Sequence, residues 1–217
     1  MIARNLISSN YPTVALYDTV ESALILMEEY EVSDLPVVKE RNFVGFISKT
    51  SLLTKELDQE IQENWCDIPE STVDEQADYL SILNIFALGS AHQLAVLNGT
   101  LYHGTVTLEE CSMALANTLT ATQKGGALLL SVDPRDYSLT HMSRIVESEG
   151  VKITGLWIEK INANGKFIIY VKLNTEHVST VANVLDQNGY HVMYRSGLLN
   201  DESITERYNS LMKYLDI

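Results

Sequence analysis

Hydrophobic and polar positions alternate in the same order twice within the first half of the chain. Three segments have counterparts at a constant offset of 59 residues: Thr13-Val14 with Thr72-Val73, Leu35-Pro36-Val37-Val38 with Leu94-Ala95-Val96-Leu97, and Gly45-Phe46-Ile47-Ser48 with Gly104-Thr105-Val106-Thr107. Each copy mixes helix and strand patterns. Because a solenoid needs at least three repeats, two such copies predict a pseudosymmetric pair that shares a cleft.

The first repeat is predicted to run strand, helix, strand, strand, helix. Asp18-Thr19 can cap a helix from Val20 to Tyr30, whose apolar residues follow helical spacing. Pro36 has no N–H and is expected at a strand start or edge. The predicted elements after that helix are a strand over Leu35–Val38, a strand over Phe43–Ile47 and a helix from Ser48 through Leu57.

The second repeat follows the same plan. Its predicted elements are a helix over Ala77–Leu88 stopped by Gly89, a strand over Leu94–Leu97, a turn at Asn98-Gly99, a strand over Leu101–Val106 and a helix from Thr107 through Asn117. Residues 58–70 are expected to connect the repeats, and residues 118–126 to form a linker.

The remaining chain has a different pattern, with the order βαββαβ of the ferredoxin-like plan. The predicted elements are strands over Ala127–Val132, Val151–Ile161, Lys166–Leu173 and Tyr190–Tyr194, with helices from Ser138 to Glu149 and from Thr175 to Asn188. The hairpin signal Asn162-Ala163-Asn164-Gly165 joins the two middle strands. An amphipathic stretch, Asp201 to Leu215, predicts a C-terminal helix.

The net charge of −14 is concentrated in the repeats. Residues 1–120 hold 5 Lys and Arg against 18 Asp and Glu, whereas residues 121–217 hold 10 against 11. Since acidic surfaces repel phosphate backbones, nucleic acid is not an expected partner. The simplest explanation of the charge is a solvated, solubilising surface, although the acidic half is also a poor host for a triphosphate without a metal ion.

No sequence grouping indicates catalysis, a metal site or a membrane segment. We see no signal peptide and no apolar run of membrane-spanning length, so a cytoplasmic protein is expected. Cys66 and Cys111 lack metal-ligand or disulfide spacing and are expected to be packing residues. The five histidines show no metal-ligand spacing, and no P-loop or nucleophile motif is present.

The repeat resembles a tandem pair of cystathionine-β-synthase (CBS) domains, a Bateman module, and residues 126–196 are similar to an ACT-type regulatory domain. That order is found in acetoin-utilisation-type CBS–ACT proteins. The implied fold class is α+β: two βαββα repeats followed by a ferredoxin-like βαββαβ domain. The expected domains are 1–59 and 60–118 for the two CBS repeats, 126–197 for the ACT-like domain and 198–217 for the C-terminal helix.

The resemblance implies two nucleotide sites of the pattern Gly-x-x-Thr/Ser-x-x-Asp, in which the hydroxyl and helix N-terminus hold phosphate and the Asp binds the ribose diol. In the first copy Ser48 matches and Ser51 replaces the Asp, so this site is expected to be weak or empty. In the second copy Thr107 matches and Glu110 keeps the charge, so this site is preferred. The residues expected to line the adenine slots are Thr13, Val14, Leu35 and Pro36 in one copy and Thr72, Val73, Leu94 and Ala95 in the other. Alternatively, Ser48 and Thr107 only cap their helices.

The ACT resemblance implies an amino-acid ligand near the first strand–helix turn. Here that turn, Asp133 to Leu139, has no glycine. Arg135 could pair with an α-carboxylate and Asp136 with an α-amine, or the turn is a charged surface loop. The strand segments Gly155–Ile158 and Phe167–Val171 could face another chain or belong to the core.

Two functions remain open at this point. One is a non-enzymatic sensor whose CBS pair binds AMP, ADP, ATP or S-adenosylmethionine as a regulatory small molecule and acts on an unidentified protein. The other is an assembly module with degenerate sites. A homodimer is expected for both, because CBS pairs and ACT domains commonly self-associate and each part is small enough to gain from further burial.

Overall fold

The computed structural model describes residues 1–66, 71–89 and 91–196, and the chain divides into two compact units, Met1–Ala116 and Asn117–Ile217. The C-terminal helix expected over Asp201–Leu215 lies outside the described residues. None of the helices in the described ranges is both long and apolar enough to span a bilayer.

The first unit contains both repeats, each built as strand, helix, strand, strand, helix. The first comprises β1 (Val14–Ala15), α1 (Val20–Glu29), β2 (Asp34–Lys39), β3 (Asn42–Ser48) and α2 (Lys49–Leu52). The second comprises β4 (Thr72–Asp74), α3 (Tyr79–Leu88), β5 (Gln93–Asn98), β6 (Leu101–Thr107) and α4 (Leu108–Ala116). The predicted doubling of one plan is therefore confirmed.

The two repeats join into one six-stranded sheet of order β1-β2-β3-β6-β5-β4. At its centre, Asn42 on β3 pairs with Leu101 on β6, and these two positions are equivalent by the 59-residue offset. Next to this pair, the equivalent residues Phe43 and Tyr102 stack with ring centroids 6.0 Å apart. The pseudo-two-fold axis therefore passes between the central strands.

The segments preceding the two repeats are exchanged between them. The first arm (residues 1–12) packs on the second repeat: Tyr79 N donates to Met1 O (3.2 Å) and Ala3 N to Ala77 O (2.9 Å). The second arm (residues 57–66) repeats these contacts on the first repeat, where Val20 N donates to Gln59 O (2.9 Å). The sequence of residues 58–70 predicts only a connection, because the hydrogen bonds of this arm are to residues distant in the chain.

The exchange also completes both hydrophobic cores. Ala3 and Leu6 of the first arm are 0% and 4% exposed within the core of the second repeat, which contains Val73, Ile82, Leu94, Val96, Val106 and Cys111. Ile61 of the second arm is buried in the core of the first repeat. Each arm therefore buries apolar side chains in the core of the repeat on which it packs, and this burial stabilises that repeat.

The second unit has the predicted βαββαβ order. It comprises α5 (Leu119–Thr122), β7 (Ala127–Val132), α6 (Leu139–Ser148), β8 (Ile153–Ile161), β9 (Phe167–Leu173), α7 (Ser179–Gln187) and β10 (His191–Ser196), with sheet order β10-β7-β9-β8. Its core includes Ile169 and Val171, both fully buried, so the Phe167–Val171 segment belongs mainly to the core. Trp157 and Ile158 on β8 are 47% and 42% exposed.

Two predicted helix boundaries are wrong by four or five residues, and the predicted linker is partly helical. Helix α2 ends at Leu52 rather than Leu57, because Leu57 O accepts from Glu21 N and draws the chain towards α1. Helix α7 begins at Ser179 rather than Thr175, whose carbonyl is held by Gly126 N at 2.6 Å. The linker 118–126 contains the short helix α5. Thr120 Oγ1 on this helix donates a hydrogen bond to Thr154 O on β8 (2.6 Å).

Candidate nucleotide site in the second repeat

The candidate site lies where β6 passes into α4. Here Gly104 allows the first arm to approach, because a Cβ at this position would overlap the side chain of Ile7. Ser8 N then donates to Thr105 O (2.8 Å) and fixes the arm along β6. The glycine of the repeat motif thus makes room for a segment that is distant in sequence.

Three polar side chains meet at the start of α4. Thr107 Oγ1 donates a hydrogen bond to Glu110 Oε2, and Glu110 N donates to Thr107 Oγ1 (3.4 Å). The side chain of Ser8 also hydrogen-bonds to the Glu110 carboxylate. Two hydroxyl groups therefore orient one carboxylate, and Thr107 both caps the helix and holds Glu110.

The environment of Glu110 keeps its carboxylate ionised. Burial raises the pKa, but hydrogen bonds from Thr107, Ser8 and the backbone outweigh it, and the net pKa lies below the ordinary value of 4.5. Because the folded pKa is lowered, the stability that Glu110 contributes is present above pH 4.5 and is lost as the pH falls through the folded pKa. The group is a charged acceptor at neutral pH.

Two tyrosines extend the site towards the first repeat. Tyr11 of the first arm donates its hydroxyl to Asp34 O at the start of β2 (2.8 Å). Burial, followed by the charges of Asp34, Tyr102 and Glu110, raises the pKa of Tyr11. Burial also raises the pKa of Tyr102 to about 12, although its hydrogen bond with Thr105 Oγ1 (2.7 Å) opposes the shift. Both phenols are neutral and present aromatic surface near an anionic acceptor.

We define Ser8, Tyr11, Tyr102, Thr107 and Glu110 as the Glu110 site. The sequence motif predicts Thr107 and Glu110, and it is the only motif that points to this site. Ser8 and Tyr11 could not be predicted, because only the arm exchange brings them here. Tyr102 could have been predicted, since it is the counterpart of Phe43 at the 59-residue offset. Aromatic residues at both equivalent positions indicate a contact between the two repeats.

The corresponding position in the first repeat has no carboxylate. Ser48 Oγ accepts a hydrogen bond from Ser51 N (3.2 Å). Ser48 therefore caps α2, as the alternative to a phosphate-binding role predicts. Ser51 offers a hydroxyl where Glu110 has a charge. The counterparts of Ser8 and Tyr11 at the 59-residue offset fall within residues 67–70, which lie outside the described residues.

Most side chains expected to line the adenine slots are buried in the two cores. Val14 and Leu35 belong to the core of the first repeat, and Val73 and Leu94 to that of the second. Pro36 is also buried, whereas Thr13 is exposed and Thr72 half-buried. Backbone groups of these strands, and the two threonines, remain as groups that a purine could reach.

The charged turn of the second unit is internally paired. Arg135 Nε and Nη2 donate to the two oxygens of Asp133 (3.0 and 3.2 Å), and Arg135 N also donates to Asp133 Oδ1. These hydrogen bonds lower the pKa of Asp133 to about 2. Asp136 is exposed. An α-carboxylate at this turn would therefore compete with Asp133 for Arg135.

The family match agrees with this architecture. Residues 3–58 match the family model described as CBS domain. The match includes most of the first arm and the whole first repeat, and the second repeat has the same element order, so the first unit has the fold of a CBS pair. The match supports the CBS resemblance over residues 3–58.

Three solved structures illustrate the likeness. A CBS domain pair/ACT domain protein from Thermotoga maritima is 26% identical, with 53% of this chain and 96% of that chain covered and a TM-score of 0.49. A putative acetoin utilization protein from Vibrio cholerae is 17% identical (54% and 91% covered, TM-score 0.47). CBSX2 in complex with AMP is also 17% identical (52% and 95% covered, TM-score 0.46).

Proposed function

We propose that this protein is a non-enzymatic regulatory sensor that binds an adenine nucleotide, or a related adenosyl compound such as S-adenosylmethionine, at the Glu110 site. The observation that carries the proposal is the ionised Glu110 carboxylate, held by Thr107 and Ser8 within a CBS pair. A carboxylate with fixed orientation is a strong acceptor for two adjacent ribose hydroxyls. The neutral rings of Tyr11 and Tyr102 supply surface for a base.

Regulation would follow from the construction of the site. Glu110 belongs to the second repeat, whereas Ser8 and Tyr11 lie on the exchanged arm. Tyr11 donates a hydrogen bond to Asp34 O of the first repeat. A ligand that contacts all of these groups favours one arrangement of arm and repeats over others. Such differential binding shifts the equilibrium between conformations of this protein. The favoured conformation would act on an unidentified regulated partner.

The test of this function is a thermal-shift screen of the full chain with AMP, ADP, ATP and S-adenosylmethionine. A ligand that binds only the folded state raises the melting temperature. Stabilisation by one of these compounds at micromolar to millimolar concentration supports the sensor. The absence of any shift with all four compounds contradicts it and favours a ligand-free assembly module.

We expect AMP to bind more tightly than ATP when metal ions are removed. Residues 1–120 carry 18 acidic and only 5 basic side chains, and Glu109 and Glu110 occupy the first turn of α4. These carboxylates offset the attraction of the helix N-terminus for phosphate, so each added phosphate increases the repulsion. Titration calorimetry in the presence of a chelator measures both affinities, and tighter binding of metal-free ATP would contradict this account.

We also propose that the chain forms a homodimer. Large apolar side chains on the helices of the first unit are exposed, among them Ile25 on α1, Leu88 on α3 and Met113 on α4. Exposed apolar surface of this kind is typical of association surfaces. Light scattering is expected to give twice the chain mass of 24.3 kDa at micromolar concentration. A monomer mass there would rule the dimer out.

A further inference from the structure

The segment that follows the first unit is fastened to the second unit. Its sequence, Asn117 to Gly126, consists mainly of small polar residues and glycine, a composition typical of flexible linkers. Helix α5 nevertheless forms within it, and Ala121 N donates to Thr118 Oγ1 (3.4 Å) at the start of this helix. Near the end of the segment, Lys172 Nζ donates to Gly125 O (2.6 Å). The segment is therefore a fixed part of the second unit.

Helix α5 contacts strand β8 at a β-bulge. The pairing of β8 with β9 shifts register between Ile153 and Gly155, so Thr154 is the extra residue. Thr120 Oγ1 donates to the carbonyl of this residue, Thr154 O, at 2.6 Å. A Cβ at position 155 would overlap Thr120 Cγ2, so only glycine allows the helix to lie this close to the strand. We call the contact of Thr120 with Thr154 and Gly155 the Thr120 contact.

Helix α4 joins the Thr120 contact to the Glu110 site. Glu110 lies in the first turn of α4, and the helix ends at Ala116. Two residues then separate it from α5, which begins at Leu119. The Cα atoms of Ala116 and Leu119 can therefore be at most about 11 Å apart. Because this connection is short, α4 cannot shift or rotate far without also moving α5.

Few core contacts hold α4 in one orientation. Among its nine residues, all of which the structure describes, Cys111 alone is buried. Tyr79 on α3 donates its hydroxyl to Cys111 O (2.8 Å). Met113 and Leu115 in the second half of the helix are 56% and 52% exposed. A small rotation of α4 is therefore opposed by little buried side-chain area.

We propose that α4 and the Thr120 contact transmit occupancy of the Glu110 site to strand β8, an inference that rests on the proposed function. A ribose diol at Glu110 competes with the hydrogen bonds from Thr107 and Ser8, and so changes the contacts of the first turn of α4. The short connection passes this change to α5, and the Thr120 contact passes it to the bulge of β8. Strand β8 is an edge strand that carries the exposed Trp157, so the change reaches a surface that a partner can contact.

Trp157 is a natural reporter for this strand. It follows Gly155 by two residues on the same face of β8, is 47% exposed, and stacks on Tyr170 with ring centroids 4.2 Å apart. Trp65→Phe removes the other of the two tryptophans, so the emission then comes from Trp157 alone. The full chain with this substitution is titrated with AMP, and binding is measured separately by calorimetry. We expect a saturable change in Trp157 emission with the same affinity as the calorimetric titration.

Thr120→Val in the same background keeps the branched shape of the side chain and removes its hydroxyl. It should lose most of the emission change while AMP still binds. Thr122→Val is the matched control, because Thr122 Oγ1 donates within its own segment, to Thr118 O (2.9 Å), and should keep the full change. Gly155→Ala should also lose the change, since the added Cβ overlaps Thr120 Cγ2. Thr120→Ser lacks that methyl group but keeps the hydroxyl, so it should restore the change in the Gly155→Ala chain.

The outcomes separate this proposal from the proposed function. AMP binding without a change in Trp157 emission overturns the transmission and leaves the nucleotide sensor standing. Equal emission changes in Thr120→Val and Thr122→Val overturn it as well. If none of AMP, ADP, ATP and S-adenosylmethionine binds, the proposed function fails and the transmission fails with it. If Gly155→Ala does not fold, the comparison of the two threonine variants decides alone.

Discussion

Replacing Glu110 with alanine is expected to remove most of the stabilisation that AMP confers on this protein. A ligand at about 100 times its dissociation constant adds roughly 2.7 kcal/mol to the stability of the folded state. For a chain of this size that corresponds to a rise in melting temperature of about 5–10 °C. Loss of a charged hydrogen-bond acceptor typically costs about 1.5–3 kcal/mol, which weakens the ligand roughly ten- to a hundredfold.

Glu109 provides the matched control for this substitution. It is the neighbouring carboxylate on α4, but it is exposed, and no hydrogen bond ties it to Ser8 or Thr107. Glu109→Ala removes the same charge and should not reduce the AMP shift, since Glu109 only repels phosphate, and Ser51→Ala in the first repeat should leave the shift intact. The quantity compared is the AMP-induced shift of each variant, since Glu110→Ala also alters the cap of α4. If Glu110→Ala shifts as much as wild type, the ligand binds elsewhere.

Truncating Leu6 to alanine is expected to destabilise the protein by about 2–5 kcal/mol, the usual cost of removing a buried leucine. Leu6 is 4% exposed, and it belongs to the core of the second repeat although it precedes the first. Truncating a side chain in an unpacked N-terminal segment would change the free energy of unfolding very little. Urea unfolding followed by circular dichroism measures the difference in the free energy of unfolding.

The control for Leu6 is Leu80, which is 72% exposed on α3. Leu80→Ala should change stability by less than about 0.5 kcal/mol, as is usual for exposed positions. Because the arm also carries Ser8 and Tyr11, Leu6→Ala should weaken AMP binding, whereas Leu80→Ala should not. A cost for Leu6→Ala as small as that for Leu80→Ala would contradict the arm exchange.

The elements predicted correctly are those that residues close together in the sequence determine. The caps at Thr19 and Ser138 were visible in the sequence, and both side chains accept the expected hydrogen bonds. The 59-residue offset located every strand of the second repeat. The ends of α2 and α7 were missed, because backbone hydrogen bonds to distant residues decide where these helices stop or begin.

The same distinction explains the candidate site. Thr107 and Glu110 are three residues apart at a helix start, so a motif could identify them. Ser8 lies about a hundred residues away in sequence, and no periodicity connects it to Glu110. The adenine-slot residues were assigned from the family resemblance, and the apolar ones among them lie on strands, where an apolar side chain indicates burial as readily as ligand contact. Val14 and Leu94 accordingly lie in the cores.

A crystal structure of the full chain grown with AMP would test the nucleotide site most directly. We expect the two ribose hydroxyls of AMP to donate to the Glu110 carboxylate at about 2.6–3.0 Å, with Ser8 or Thr107 rearranged to accommodate them. The base should lie against Tyr11 or Tyr102. AMP bound at Ser48 and Ser51 with Glu110 still held by Thr107 and Ser8, or no AMP in the cleft at saturating concentration, would contradict this account.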